Sequence, residues 1–364
     1  MIRILQIGMS DNLGGIETFI INMYRFIDKK QVQFDFIDFT ENGICFEEEI
    51  LSLGGKIYKV PSRKKNIIQN KKQLEKIMKQ YKIIHYHANT LSYFTPIAIA
   101  KKNHLQIILH SHNQWKGKKL KTLILHKMNQ LRLPKTNITR YACSDVAAEW
   151  LFLKKNLKLT TIIKNAVDCE KFRFNKEKRN QLREELGVQE KFVIGHIGRF
   201  SYQKNHDFLI KIFQKYYEKN KNSCLFLFGI GELEEQIKQQ VKNLGLEKNV
   251  FFFGIKSNTY DYLQAIDLIL FPSFFEGFPI VLIEAQAAGV PCLISDTITK
   301  QVQLFNFVKP YSLEKKEENW ANELSKFEQS NHIDTYANMC QFGYHLTQQS
   351  EFMLQQYKSL FKEE

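Results

Sequence analysis

The chain has 364 residues, too many for one ordinary doubly wound sheet and enough for two domains that each bury a core. Its net charge of +14 draws anionic partners, but the lysines are dispersed and no paired Cys/His or RNA-binding aromatic motif accompanies them, which argues against nucleic acid. The six cysteines stand apart with no C-x-x-C pair, as in a reduced cytosolic protein, and no apolar run reaches the roughly 18 residues of a membrane span.

Met1 to Gly8 reads as a first strand, too short for a signal-peptide core. It leads into Gly14-Gly15-Ile16-Glu17 and then a helical apolar pattern from Thr18 to Phe26. A strand, a double glycine and a helix start together make a turn whose backbone amides can approach a ligand, although the G-x-G-x-x-G of a nicotinamide site is absent. Strands at Phe34 to Phe39, Lys56 to Val60 and Ile83 to His87 alternate with helices at Cys45 to Leu53 and Lys71 to Gln80, a pattern that implies a parallel sheet.

Gln106 to Asn113 is the next strand, and its polar end carries His110 and His112. With His85 and His87 these histidines suggest metal, but H-x-H in a strand puts the rings on one face about 7 Å apart. No acidic ligands accompany them, so the expectation is no metal. From Lys116 to Leu133 the chain is basic and amphipathic, which suits either a helix lying on anionic lipid or an ordinary solvated helix. Ile138 to Cys143 is a strand and Ser144 caps the helix that follows.

Cys169 to Gln189 is charged and reads as a linker. Beyond it, the strand Phe192 to Ile197 ends in Gly198-Arg199, with Lys204 five residues on and a helix from Asp207. Those two cations stand at one sheet edge, where they could neutralise a diphosphate. Cys224 to Gly229 and Val250 to Gly254 are further strands with glycine turns, and Ala265 to Phe271 is an apolar run suited to a buried strand.

After that run comes Glu276-Gly277-Phe278-Pro279, with a helix expected to start near Pro279. The amides of Ile280, Val281 and Leu282 would bring the positive end of the helix dipole to the sheet's carboxyl edge, ready for phosphate. Glu276 and Glu284 flank that point and are suited to accept bonds from sugar and ribose hydroxyls.

The stretch Pro272 to Pro291, with its E-x7-E spacing from Glu276 to Glu284, resembles the retaining GT-B glycosyltransferases often called family four. Gly14-Gly15-Ile16-Glu17 resembles that family's G-G-x-E loop, Arg199 to Lys204 its G-R-x-x-x-x-K clamp, and Asn165 to Asp168 its N-G-V-D segment with Ala166 in place of glycine. The resemblance covers roughly residues 1 to 310 and thins afterwards. It implies an α/β GT-B fold of two Rossmann-like, doubly wound parallel-sheet domains facing a central cleft. The domains are expected at 1–168 and 191–345, joined by a linker at 169–190, with a last helix at 346–364 returning to the first domain.

By the same resemblance, Gly14 and Gly15 lie against the donor phosphates. Arg199 and Lys204 hold the leaving diphosphate, with Gly198 beside them and the backbone after Gly254 near the base. Glu276 and His112, or failing that His110, orient the sugar, while Glu284 holds the ribose. The implied activity is transfer of a hexose or N-acetylhexosamine from a nucleotide-diphosphate sugar, expected to be a UDP-sugar. It needs no metal or other cofactor. The expected acceptor is a lipid-linked saccharide of capsule or exopolysaccharide assembly, and the enzyme is expected to be cytoplasmic and peripheral to an anionic membrane. The alternatives are a nucleotide-sugar epimerase or hydrolase of the same fold, and a non-catalytic polyanion-binding protein.

Overall fold

The structure, a computed structural model, describes residues 1–12, 14–112, 120–256 and 258–362. It divides into two compact units, one formed by Met1–Ala166 with Gly343–Glu364 and the other by Val167–Phe342.

The first unit holds seven strands: β1 (Ile2–Ile7), β2 (Val32–Asp38), β3 (Ile57–Lys59), β4 (Ile83–Ala88), β5 (Gln106–Ser111), β6 (Ile138–Ala142) and β7 (Thr160–Ile162). They pair in parallel in the order β3-β2-β1-β4-β5-β6-β7. Every residue of β2 and β4 is buried, as expected of strands covered on both faces. Apolar clusters fill both sides of the sheet, and the helix Leu346–Lys362 seals one of them with Met353, Leu354 and Tyr357.

The second unit has β8 (Phe192–Ile197), β9 (Ser223–Phe228), β10 (Val250–Gly254), β11 (Leu268–Phe271), β12 (Cys292–Ser295) and β13 (Val308–Tyr311), all parallel, in the order β10-β9-β8-β11-β12-β13. In both units the order reverses beside the first strand, between β1 and β4 and between β8 and β11. Such switch points leave a crevice at the carboxyl ends of the strands where ligands of doubly wound sheets bind.

Three sequence expectations change. The segment 169–190 is not a linker: helices Cys169–Phe172 and Lys176–Glu185 belong to the second unit. Arg179 and Arg183 of the latter both pair with Asp267, whose carboxylate also accepts the Val193 amide at 2.7 Å, so charges that read as solvated anchor the sheet. The first helix begins at Gly15 rather than Thr18, because Gly14 serves as its N-cap. Strand β13 was missed because it contains Pro310, and an edge strand tolerates proline where a central one does not.

Candidate active site

In the second unit the loops that follow β8 and β11 are laced together at the switch point. Phe274 donates its amide to the Gln203 carbonyl at 2.9 Å, and the Asn205 side chain donates to the Pro272 carbonyl at 3.1 Å. Asn205 adopts a left-handed conformation (φ 57°), which asparagine tolerates better than most residues, and this bend starts the helix His206–Lys219.

The lacing carries Lys204 to Glu276. The lysine stem runs over Gly198, where a Cβ would stand 3.0 Å from Lys204 Cδ and Cε. Its Nζ lies 2.8 Å from Glu276 Oε1 and 4.5 Å from the centre of the Phe271 ring. Gln203 Nε2 donates to the other oxygen, Glu276 Oε2, at 2.9 Å. Both side chains of the ion pair are largely buried, so the carboxylate is held in one orientation while the ammonium keeps donors for an anion. Sequence reasoning missed Gln203, although its place one residue before the expected lysine was a usable signal.

Arg199 sits apart from this pair. Its guanidinium is exposed and meets Glu232, after β9, at 3.1 Å, so the two cations expected as one clamp each rest on a separate carboxylate. The β8 end itself is fixed by the glycine turn after β9. Gly229 has φ +124°, and a Cβ there would stand 2.2 Å from the Gly198 carbonyl oxygen. Phe200 donates to the Ile230 carbonyl at 3.1 Å and Leu233 to the Phe200 carbonyl at 3.0 Å. Gly254 closes the row, its carbonyl accepting the Gly229 amide at 2.8 Å. The expected base-side backbone just beyond it includes Ser257, which lies outside the described residues.

The Glu276-Gly277-Phe278-Pro279 loop delivers the chain into the helix Ile280–Ala287, with Pro279 as N-cap, where the helix was expected to start. Leu282 donates its amide to the Pro279 carbonyl at 3.1 Å, so it is not open to a ligand. Among the described residues, the amides of Ile280 and Val281 carry no such backbone bond. One turn into the helix, Glu284 keeps partial exposure but has no hydrogen-bond or ion-pair partner among the described residues, and burial pushes its carboxyl up to about 7.

The first unit gathers its polar residues at its own switch point. Gly14 and Gly15 open the first helix, and Glu17 in its first turn accepts from Ser10 N at 3.1 Å and Ser10 Oγ at 2.8 Å. Leu13 of the same loop lies outside the described residues. Below it, His85, His87, His110 and His112 form a buried cluster from β4 and from the end of β5. His85 and His87 stack with ring centres 4.1 Å apart, and ring nitrogens of His85, His87 and His110 fall within 4.8 Å of one another, far tighter than the spacing expected from two-residue periodicity.

The cluster is tied by hydrogen bonds. His85 Nδ1 meets the Tyr357 hydroxyl at 2.7 Å and its Nε2 meets His110 Nδ1 at 3.3 Å. His87 Nε2 faces Gln6 Oε1 at 2.8 Å, and His87 Nδ1 faces His112 Nε2 at 2.8 Å. Because Gln6 Oε1 can only accept, His87 carries its proton on Nε2, His112 donates from Nε2, and His112 Nδ1 is left as a lone-pair acceptor. Among the described residues that Nδ1 has no partner. Burial holds all four rings neutral, bringing His112 down to about 3. His110 lies wholly inside, whereas His112 stands at the strand's end, and Asn113 beyond it is outside the described residues. Gln6 was missed in the sequence, where a lone amide inside the apolar run Ile4 to Ile7 was the available signal.

Two doubly wound units of this kind constitute the GT-B fold. Anabaena HepE, solved in complex with UDP and glucose, has the same fold at 17% identity with a TM-score of 0.78, matched over 99% of this chain and all of that one. Residues 13–171 match the family described as Glycosyltransferase Family 4, and residues 178–345 match Glycosyl transferases group 1. Glycosyltransferase EpsF of Bacillus subtilis (strain 168) is 31% identical over 340 residues, covering 89% of this chain and 87% of that protein. The UDP-Gal:alpha-D-GlcNAc-diphosphoundecaprenol alpha-1,3-galactosyltransferase of Escherichia coli is 24% identical over 81% of this chain and 79% of its own length. The chain belongs to the family 4 glycosyltransferases and is a sugar-transferring enzyme.

Proposed function

We propose that the enzyme transfers a hexose or N-acetylhexosamine from a UDP-sugar, with retention, to a saccharide carried on a lipid. The observation that carries this reading is the buried Lys204–Glu276 pair beside the opening of the helix Ile280–Ala287. A diphosphate there meets Lys204 and the amides of Ile280 and Val281, while Arg199 can turn from Glu232 to the same charge. Glu276 is then placed for donor-sugar hydroxyls, and the unpartnered Glu284 for the ribose. In the first unit, taken by itself, the free Nδ1 of His112 is suited to accept from a sugar hydroxyl, and the backbone at Gly14 and Gly15 to approach phosphate.

In this mechanism the bond from the anomeric carbon to the diphosphate breaks as the acceptor oxygen bonds on the same face. The departing phosphate oxygen takes the acceptor's proton. The protein therefore supplies positioning and stabilisation of charge. Cationic side chains and amides serve the leaving group, so the proposal includes no metal.

Support for UDP comes from the UDP-bound relative, and support for the acceptor from the diphosphoundecaprenol-linked sugar in the Escherichia coli relative's name. A role in capsule or exopolysaccharide assembly, at the inner face of an anionic membrane, follows from that acceptor and the charge of +14. Among the described residues no helix is long and apolar enough to cross a membrane. The test is to incubate the protein with UDP-glucose, UDP-galactose or the two UDP-N-acetylhexosamines and an undecaprenyl-diphosphate saccharide, with and without chelator. The expected product is an α-linked sugar formed equally in both conditions. Transfer only to soluble small molecules, or β-linked product, overturns the reading.

A further inference from the structure

The helix Leu120–Arg132 is inverted with respect to an ordinary surface helix. Its buried side chains are polar, namely His126, Asn129 and Gln130. They pin the helix to backbone. Leu91 donates to His126 Nδ1 at 3.1 Å, and Asn129 returns a bond to the Leu91 carbonyl at 2.8 Å. His126 Nε2 and Gln130 Nε2 both donate to the Trp150 carbonyl, at 3.0 and 2.9 Å.

The opposite face is apolar and open. Leu120, Ile124, Met128 and Leu131 recur at helical period along it, exposed by 68%, 50%, 56% and 76%. Lys127 stands within that row with its ammonium over the Trp150 ring, and Lys121 and Arg132 flank it. No acidic residue occurs between Leu120 and Arg132, and the sequence just before brings Lys116, Lys118 and Lys119, which lie outside the described residues.

A soluble protein that buries amides and exposes a row of large aliphatic side chains leaves that row for a partner. The partner's chemistry is set by the cations, because an apolar layer covered by negative charge satisfies both the aliphatic row and the lysines. We infer that the outward face of the helix Leu120–Arg132 is the surface by which the enzyme lies on an anionic lipid bilayer. This rests on the reading that the acceptor is lipid-carried, and it names the part of the chain that reaches the carrier's membrane.

Vesicle flotation tests the assignment without donor, acceptor or turnover, so its result and that of the transferase assay stand independently. The parent protein is expected to float with vesicles of equal phosphatidylcholine and phosphatidylglycerol and to stay below with phosphatidylcholine alone. The variant I124E/L131E, with its thermal midpoint unchanged because both side chains are exposed, should lose vesicle partitioning by about tenfold or more. K121E/K127E should lose the preference for anionic vesicles. Flotation of I124E/L131E equal to the parent, or no flotation of the parent, overturns the inference. So does a parent dimer in light scattering that I124E/L131E dissolves, which would assign the face to self-association.

Discussion

Lys204 Nζ lies 2.8 Å from Glu276 Oε1, so the cation proposed for the leaving diphosphate and the carboxylate proposed for the sugar neutralise each other until a ligand arrives. Each fixes the position of the other, and neither pays a large reorganisation on binding. Lys204→Ala is expected to lower kcat/KM by about 100-fold to 1,000-fold, the range seen on loss of one charge-stabilising donor. It should also destabilise the fold by about 1–3 kcal/mol, because Glu276 is left buried with only Gln203 to donate to it. Adding Glu276→Gln should restore the thermal midpoint and not the activity. A single variant with parental turnover would remove Lys204 from the mechanism.

Glu284 makes a pH prediction with a definite sign. Its carboxyl is raised from 4.5 to about 7 by burial, so between those values the folded protein binds the extra proton and the unfolded chain does not. The contribution of Glu284 to stability therefore falls as pH rises through that window, by up to about 3 kcal/mol against the opposite trend of the buried histidines, and Glu284→Gln should remove that contribution. Ribose hydroxyls donate to the ionised form, so UDP affinity should strengthen from pH 6 toward pH 8 in the parent, an increase of up to about tenfold. Calorimetric titration of parent and variant checks this. Equal pH slopes in the two proteins would place the ribose elsewhere.

The Gly198-Arg199 end of β8 depends on Gly229, whose Cβ position is filled by the Gly198 carbonyl at 2.2 Å. Gly229→Ala must displace that backbone and also accept a left-handed φ of +124°. The expected loss is about 3 kcal/mol in stability, together with weaker UDP binding because Arg199 shifts with its strand. A parental thermal midpoint in Gly229→Ala would contradict the close approach.

These elements were unequally legible in the sequence. Strands such as Leu268–Phe271 announce themselves because both faces are buried and the apolar run is unbroken. Motif spacing likewise carried Lys204 and Glu276 to neighbouring loops. It could not show that they pair, since pairing depends on Asn205 and Pro272 lacing two loops that are 67 residues apart in sequence. The four histidines were read as two H-x-H pairs spaced by strand periodicity, whereas the parallel register of β4 and β5 sets the two pairs against each other. On the helix Leu120–Arg132 the amphipathic pattern was visible, but its direction was set by bonds to Leu91 and Trp150 that no local pattern encodes.

The buried histidines predict acid sensitivity that is independent of any substrate. His112 is lowered from 6.5 to about 3 and His206 to about 4, and His85, His87, His110 and His196 lie well below their usual value, all chiefly through burial. Below 6.5 the unfolded chain takes up protons that the folded one refuses, so stability drops as pH falls, by about 1.4 kcal/mol per pH unit for each such ring. The drop continues until the folded rings titrate, near pH 4 for His206 and pH 3 for His112. Thermal midpoints between pH 7.5 and pH 5 should therefore decline steeply. His110→Asn, which removes one ring from inside the cluster, should reduce the slope by about one proton even where it lowers the midpoint overall. A midpoint that stays flat to pH 5 would mean that the rings carry charge in the folded protein. The relay from Gln6 through His87 would then leave His112 Nδ1 as a donor, and its proposed partner on the sugar would have to be an acceptor oxygen instead of a hydroxyl proton.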